Sequence, residues 1–221
     1  MDIAKYIDHT LLRPDASKFQ IVQHCREAAL HNFVSVCVNP MWVRESYHTL
    51  YQDKSTKICT VIGFPSGANL PKIKSAEAYQ ALADGADELD MVLNIGWLKS
   101  GYFPEVEMDI WGVRKTAKHA ILKVIIETCL LTREEKIIAC KIAKNAGADF
   151  VKTSTGFSTS GATVEDVKLM RITVGPDMGV KASGGIKDFA TAKAMIDAGA
   201  NRIGTSSGVV IVEESKKGIA P

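Results

Sequence analysis

A closed barrel of eight parallel β-strands, each followed by a helix, is the fold class that this 221-residue sequence predicts. Two observations support the prediction. Short apolar and β-branched runs alternate with longer amphipathic runs from one end of the chain to the other. The apolar runs are nearly continuous, which is typical of parallel strands covered on both faces. The chain is therefore expected to be an α/β protein, a (β/α)₈ TIM barrel.

Eight segments are predicted to form the strands of this barrel. Seven are clear in the sequence: 34–39, 57–64, 88–94, 122–128, 150–155, 179–184 and 202–207. The segment YIDHT at 6–10 supplies the first strand, because it is short, apolar and followed by a helix start. Helical patterns between the strands include IVQHCREAALHN, KIKSAEAYQALADG, REEKIIACKIAKNAG and ATAKAMIDAG. An open doubly wound sheet is the alternative, but no G-x-G-x-x-G follows an early strand.

Three junctions between helices and strands look alike: ALADGADELD, IAKNAGADFVK and MIDAGANRIG. Each ends an Ala-rich helix with Gly, which suits the left-handed helix stop before a sharp turn into the next strand. We interpret the resemblance as a structural repeat of helix-to-strand units. Neither a linker nor a break in composition indicates a second domain, so one domain over 1–221 is predicted.

Composition and charge restrict the class of partner. Lys and Arg number 27 and Asp and Glu 25, so the formal charge of +2 gives no reason to expect nucleic acid or a membrane surface. The chain has neither the pattern of a secretory signal nor the roughly 18 apolar residues of a membrane span. Five cysteines without a C-x-x-C pair fit reduced thiols, and we expect a cytoplasmic location.

Metal ligands are not indicated by the cysteine or histidine spacing. The five histidines form neither H-x-H nor H-E-x-x-H, which disfavours a zinc enzyme, so no metal or other cofactor is expected. His24 and His31 fall in a helical pattern and are predicted to lie on the surface. Cys37, inside the second strand, is predicted to be a small buried residue, and the direction of its thiol matters if an aldehyde forms nearby.

Charged residues inside three predicted strands indicate a catalytic site. These are Asp90 on the fourth strand, Lys152 on the sixth and Lys181 on the seventh, and Asp8 on the first strand lies next to the eighth after closure. A second cation and partial desolvation lower the pKa of a lysine from ~10.4, so that the neutral amine can form a Schiff base with a carbonyl. Asp90 would stay ionised and relay protons. An internal ion pair that only stabilises the barrel is the alternative.

Glycine and hydroxyl residues after the last three strands indicate a phosphate site. Backbone N–H groups approach an anion closely where glycine allows it, and barrel enzymes frequently bind phosphate after strands seven and eight. The candidate residues are Gly156 after strand six, Gly184 and Gly185 after strand seven, and Gly204, Ser206 and Ser207 at the end of strand eight. Thr155 is a candidate contact for a substrate hydroxyl, and Glu127 a candidate for a supporting role.

Together, the motifs ELDMVLNIG, LKVIIET, GADFVKTSTGF, GVKASGGI and RIGTSSG resemble those of the deoxyribose-phosphate aldolase family, over nearly the whole chain. The resemblance implies a metal-free class I aldolase on a (β/α)₈ barrel, usually a homo-oligomer, that reversibly cleaves 2-deoxy-D-ribose 5-phosphate to D-glyceraldehyde 3-phosphate and acetaldehyde. It assigns the Schiff base to Lys152, the perturbing charge to Lys181, the proton relay to Asp90 and the phosphate cradle to the glycines and serines named above.

Two departures from the family pattern bear on substrate and rate. Phe157 stands where some members have a lysine after KTSTG, which removes one phosphate contact, and the end VEESKKGIAP lacks the terminal tyrosine of other members. Two other functions stay open at this point. A transaldolase-like or isomerase enzyme would keep the phosphate loops without needing Lys181, and a phosphosugar sensor would bind ligand without a covalent bond.

Overall fold

The computed structural model describes residues 1–53 and 55–217. Within them, eight parallel strands close into a barrel in sequence order, and β1 pairs with β8. The strands are β1 (Ile7–Leu11), β2 (Ser35–Val38), β3 (Lys57–Ile62), β4 (Glu88–Val92), β5 (Ile121–Ile125), β6 (Phe150–Lys152), β7 (Gly179–Ser183) and β8 (Arg202–Thr205). The predicted (β/α)₈ fold is confirmed, including YIDHT as the first strand, and the open sheet is excluded.

Helices follow the strands and cover the outside of the barrel. They are α1 (Lys18–Leu30), α2 (Val43–Thr49), α3 (Pro71–Ala83), α4 (Ile95–Lys99), α5 (Phe103–Thr116), α6 (Arg133–Asn145), α7 (Val164–Val174), α8 (Phe189–Asp197) and α9 (Gly208–Lys217). Capping boxes begin α1 at Ser17 and α6 at Thr132, where each hydroxyl accepts a backbone N–H that has no partner within the helix. The sequence therefore encodes these helix starts locally.

The repeated helix-to-strand junctions have the backbone that their glycines predict. Gly85, Gly147 and Gly199 follow α3, α6 and α8 with φ values of +107°, +81° and +112°. Residues with a Cβ rarely adopt this region, so glycine lets each helix stop and turn at once into the next strand. The prediction of a structural repeat is confirmed.

Alternate residues of the strands face two different environments. On β4, Leu89 and Met91 join the apolar layer between the sheet and the helices, whereas Glu88 and Asp90 contact charged groups from other strands inside the barrel. This period of two follows from strand geometry. The hydrophobic core that stabilises the fold therefore lies outside the barrel, and its interior is free to hold polar chemistry.

One prediction about the surface is wrong. His24 is only 7% exposed, because it shares the core-facing stripe of α1 with Ile21, Cys25 and Ala28. His31, at the end of the same helix, is half-buried. Cys37 is fully buried, as predicted.

Among the described residues, none of the helices has the length and apolar character needed to cross a membrane. The prediction of one domain over 1–221 includes position 54 and residues 218–221, which lie outside the described residues, and it stays a prediction. The last four residues of VEESKKGIAP lie outside them too.

Candidate active site

Asp90, Lys152 and Lys181 meet inside the barrel. Lys152 and Lys181 are register partners on β6 and β7, and their ammonium groups donate to the same carboxylate oxygen, Oδ2 of Asp90, at 2.8 and 2.7 Å. The two ammonium groups therefore lie within two hydrogen-bond lengths of each other. The structure thus brings together Asp90, Lys152 and Lys181, as the sequence predicts.

The charges of this cluster perturb one another strongly. Burial would raise the pKa of Asp90, but Lys123, Lys152 and Lys181 overcome it and hold the pKa well below its usual range. Burial would lower the pKa of Lys181, but the carboxylates of Asp8 and Asp90 raise it above its usual value. Lys181 therefore stays a cation and Asp90 an anion at neutral pH.

A deeper set of charges was missed in the sequence. Lys123 on β5 lies 2.6 Å from Glu88, 2.8 Å from Asp90 and 3.8 Å from Asp8. Arg202 on β8 donates to Glu88 at 2.8 Å and to Asp8 in a short contact. Each lies within a predicted strand, so counting every charged residue inside the predicted strands would have included both, although their contact with Asp90 and Asp8 depends on the register between strands.

Asp8 lies below Asp90 and connects the two sets. Its carboxylate forms an ion pair with Lys181, with Nζ and Oδ2 2.5 Å apart, accepts a hydrogen bond from Arg202 and is fully buried. Burial would raise its pKa, yet Lys181, Arg202 and Lys123 lower it. The sequence placed Asp8 near the site, and the structure gives it a direct bond to Lys181.

A cavity of about 270 Å³ opens at the carboxyl ends of the strands, directly above Lys152. Lys152 lines it, whereas Lys123 and Lys181 do not. The predicted residues that line it are Thr155, Gly156, Gly184, Gly185, Gly204 and Ser206. Ser207 does not reach the lining and instead donates its N–H to the Thr205 hydroxyl.

Two cations at the rim of this cavity also escaped the sequence analysis. Arg13, after β1, and Lys187, after β7, line it beside the glycine loops. Gly184 and Gly185 have φ values of +87° and +80°, and a Cβ at Gly184 would lie 2.9 Å from the Cα of Gly161. The loops after β6 and β7 therefore pack backbone against backbone, which side chains would prevent. Helices α8 and α9 begin just beyond, where N-terminal dipoles favour an anion.

The sequence matches the DeoC/LacD family aldolase over residues 3–213. The chain belongs to this aldolase family. It is 60% identical to the deoxyribose-phosphate aldolase of Brevibacillus brevis, over 98% of this chain and 97% of that protein. The resemblance predicted from the motifs is confirmed.

Solved structures agree with this assignment. A tetrameric deoxyribose phosphate aldolase from Aeropyrum pernix is 35% identical with a TM-score of 0.91, over 98% of this chain and 92% of that one. An aldolase named QR15 is 43% identical with a TM-score of 0.94, over 98% and 97%. The family and the fold of this aldolase are therefore known from both sequence and structure.

Phe157, which distinguishes this aldolase from members with lysine there, lies at the edge of the cavity. The residue is 53% exposed, and its ring packs edge-to-face on Phe64, with the ring centroids 5.2 Å apart. The rim is therefore apolar at this point. Besides Lys152, the described cations that line the cavity are Lys187 and Arg13, which pairs with Asp15 at 3.0 Å.

The thiol of Cys37 points into the barrel of the aldolase. Its Sγ, the Sγ of its register partner Cys59 and an oxygen of Asp90 all lie within 4.8 Å of one another. A hydrogen bond from Cys59 lowers the pKa of Cys37, and the Cys59 Sγ also lies 3.2 Å from an oxygen of Asp90. Because Lys123 lies 3.3 Å from Cys59 and Lys152 and Lys181 share Asp90, the local positive charge disfavours a metal cation there.

A second group of metal-ligating residues lies between β1 and α1. Ligand atoms of His9, His24 and Glu27 fall within 4.8 Å of one another. The two imidazole rings are stacked, with centroids 3.8 Å apart and planes 14° apart. Since an imidazole binds a metal in the plane of its ring, a single ion could not meet both rings in this arrangement. The geometry does not favour a metal at either cluster.

Proposed function

We propose that this aldolase reversibly cleaves 2-deoxy-D-ribose 5-phosphate to D-glyceraldehyde 3-phosphate and acetaldehyde through a Schiff base on Lys152. The observation that carries the proposal is that Lys152 lines the cavity while sharing one oxygen of Asp90 with Lys181. A lysine beside a second cation loses its proton more readily, and a lysine at a cavity meets substrate. The name of the Brevibacillus brevis relative supports this substrate.

The neutral amine of Lys152 adds to the aldehyde carbon C1, and water leaves to give an iminium. The C3 hydroxyl then gives up its proton, the C2–C3 bond breaks, and its electron pair moves into the enamine. D-glyceraldehyde 3-phosphate departs, C2 of the enamine takes a proton, and water hydrolyses the iminium to release acetaldehyde. Asp90 lies against both lysines, so we assign it the relay of these protons and Lys181 the electrostatic role.

The phosphate is assigned to the rim between β7 and β8. Gly156, Gly184, Gly185, Gly204 and Ser206 line that side of the cavity, and the start of α9 adds its dipole beside Ser207. Arg13 and Lys187 bring two positive charges to the same rim. A phosphate here would leave the aldehyde end of the sugar directed at Lys152. In this proposal, Arg13 and Lys187 take the place of the lysine that some family members have at the position of Phe157.

Borohydride trapping tests the proposed chemistry. Incubation with 2-deoxyribose 5-phosphate and borohydride is expected to reduce the iminium to a stable adduct, which peptide mass mapping should place on Lys152. Lys152→Ala should show none, and the exposed-lysine control Lys99→Ala should be trapped like the wild type. Measurable ligand binding with no adduct on any lysine would contradict the proposed Schiff-base reaction and favour the alternative of a phosphosugar sensor.

Lys181→Leu tests the electrostatic role. Removing this cation leaves Lys152 beside Asp90 with less repulsion, so trapping should slow at neutral pH and recover at higher pH. An unchanged profile would mean that Lys181 only holds the barrel together.

We further propose a cytoplasmic homo-oligomer without nucleic-acid or membrane partners. The net charge of +2 supports the absence of polyanionic partners.

Helices α3 and α5 pack side by side and expose Tyr79, Met108 and Trp111, with 68%, 68% and 53% of each residue accessible. Such large exposed apolar side chains are typical of interfaces. Light scattering should give a mass above that of one chain, and Met108→Glu with Trp111→Glu should reduce it to one chain.

A further inference from the structure

Glu127 breaks the regular ladder between β5 and β6. Its φ of +54° and ψ of +66° are left-handed, which residues other than glycine rarely adopt. On either side of it, the Ile126 N–H donates to the Lys152 carbonyl at 3.0 Å and the Thr128 N–H donates to the Thr153 carbonyl at 2.9 Å. Two donors separated by one residue thus reach consecutive carbonyls, so Glu127 is an extra residue, as in a β-bulge. Bulges next to active sites commonly re-aim a side chain.

The side chain re-aimed here is a buried carboxylate on Thr155. Glu127 is only 2% exposed. The Thr155 N–H lies 3.2 and 3.3 Å from its two oxygens, and the Thr155 hydroxyl donates to Oε2 in a short contact. Ion-pair partners for Glu127 are absent from the part of the chain that the structure describes, and besides the two donors of Thr155 its carboxylate is approached by the Cys129 thiol, 4.0 Å from Oε1. A buried carboxylate with so few donors has a functional explanation more readily than a structural one.

These contacts fix what Thr155 can do in the cavity. A hydroxyl has one proton and two lone pairs, and the proton of Thr155 is committed to Glu127. The Phe157 N–H donates to the same oxygen at 3.0 Å and occupies one lone pair. Thr155 lines the cavity with Lys152, so the one remaining lone pair is what it can offer to substrate. It can accept a hydrogen bond from a sugar hydroxyl, but it has no proton left to donate to a phosphate.

We propose that Glu127 is a positioning residue that locks Thr155 as a hydrogen-bond acceptor for the C4 hydroxyl of the substrate. The C3 hydroxyl is consumed when the C2–C3 bond breaks, whereas the C4 hydroxyl persists and becomes the C2 hydroxyl of glyceraldehyde 3-phosphate. Lys152, Thr155 and Gly156 line the same cavity, so Thr155 faces a sugar whose aldehyde end meets Lys152 and whose phosphate lies near Gly156. This inference rests on the proposed function and adds a source of specificity to it.

The experiment compares two acceptor aldehydes in the synthetic direction with acetaldehyde. Glyceraldehyde 3-phosphate carries the hydroxyl in question, and 3-oxopropyl phosphate lacks it. Wild-type enzyme should prefer the first in kcat/KM, chiefly through KM. Thr155→Val should reduce that preference about tenfold, the worth of one hydrogen bond, because it slows the reaction of glyceraldehyde 3-phosphate more than that of 3-oxopropyl phosphate. Thr155→Ser should keep the preference.

Glu127→Asp and Glu127→Gln test the positioning step. Asp keeps the charge and tolerates the left-handed backbone, but its shorter side chain no longer reaches Thr155. Gln adds an amide donor that frees the hydroxyl to turn. Each should reduce the preference about as much as Thr155→Val, and adding Thr155→Val to either should reduce it no further. Glu134→Gln, at an exposed position on α6, is the matched control.

The outcomes separate this inference from the proposed function. If Glu127 only stabilises the fold, its variants will slow both aldehydes equally, and that result overturns the inference. Additive effects of Glu127→Asp and Thr155→Val would overturn it too. Wild-type enzyme that joins neither aldehyde to acetaldehyde would contradict the proposed function itself. Should Glu127→Gln fail to fold by circular dichroism, Glu127→Asp and the two Thr155 variants still decide the question.

Discussion

Lys123 and Lys152 are two buried lysines on neighbouring strands that bond to the same carboxylate, yet only one is placed to react. Lys123 lies among three carboxylates, Asp8, Glu88 and Asp90. Lys152 bonds to one, Asp90, among the described residues, and it lines the cavity. A lysine must lose its charge to become a nucleophile, and the electrostatic cost of that loss is smallest where it has fewest anionic partners. The comparison indicates that reactivity is placed where ion pairing is weakest.

Lys152→Met should produce the largest effect and make the difference between the two lysines sharpest. We expect kcat to fall by roughly 10⁴-fold or more, since the nucleophile is lost. Stability should change by less than about 1 kcal/mol, because Asp90 keeps Lys123 and Lys181 and no buried carboxylate is left alone. Steady-state kinetics and urea unfolding measure the two quantities. A large loss of stability would mean that Lys152 is a structural cation after all.

Lys123→Met should have the opposite profile, with stability as the main loss. Three buried carboxylates lose a shared partner, and removing one member of a buried pair typically costs about 3–5 kcal/mol. Urea unfolding of this variant should be compared with that of Lys99→Met. Lys99 forms an exposed pair with Glu135 at 3.0 Å, so its loss should cost less than about 1 kcal/mol. Equal losses of stability in Lys123→Met and Lys99→Met would mean that Lys123 stabilises the fold no more than an exposed lysine does.

Acid sensitivity should come from outside the charged interior, at His9 and His24. Burial lowers the pKa of His9 to about 4 and that of His24 to about 3, against roughly 6.5 in the unfolded chain. The unfolded chain therefore binds more protons below pH 6.5, and the free energy of unfolding should fall as the pH drops from about 6.5 to about 4. The pKa values of Asp8 and Asp90 are depressed, so their contribution is lost only below about pH 4.

His24→Phe separates the two regions on this pH axis. It keeps an aromatic ring against His9 and removes one titrating group, so the slope between pH 6 and 4.5 should decrease by up to about 1.4 kcal/mol per pH unit. His48→Phe, at an exposed position, should leave the slope unchanged. A slope that His24→Phe does not alter would place the acid sensitivity elsewhere.

Gly204→Ala tests how tightly Lys181 is held. A Cβ there would lie 2.9 Å from the Cβ of Ser183 and 3.1 Å from the Cε of Lys181, so it should displace that lysine. We expect a stability loss of about 1–3 kcal/mol together with slower borohydride trapping. A Cβ at Gly185 would meet no atom within 4 Å. Despite the backbone strain at φ +80°, Gly185→Ala should therefore leave trapping at Lys152 unaffected when 2-deoxyribose 5-phosphate is saturating.

The barrel, its eight strands and the meeting of Asp90, Lys152 and Lys181 could be predicted from the sequence, because continuous apolar runs and charged residues within them are local signals. The positions at which strands end could not be predicted as well. The predicted strand 150–155 stops at Lys152, since the Thr155 N–H bonds to a side chain, and 122–128 stops at Ile125, before the left-handed Glu127. Such bonds join residues far apart in sequence, which periodicity cannot show.

Lys123 and Arg202 were missed for a related reason. Strands buried on both faces show no polar and apolar alternation, so the sequence does not mark which residues face the barrel axis. Only the register among strands, which pairs Asp90 with Lys123 and Lys181 with Arg202, reveals that they belong to one network. The prediction for His24 was wrong for a different reason. Its polar side chain suggested the surface, although its helical spacing from Ile21 and Ala28 places it on the buried face of α1.

The single bond from Lys152 to Asp90 has a consequence for the reaction cycle as a whole. A protonated amine and an iminium carry the same unit charge at nearly the same place. Asp90 therefore faces a cation both before substrate arrives and after the covalent intermediate has formed. Only the brief neutral amine and enamine leave it with one neighbour fewer, and Lys123 and Lys181 remain beside it then. The barrel interior thus presents the same charges to the resting state and to the proposed covalent state, so no side chain has to move to rebalance charge.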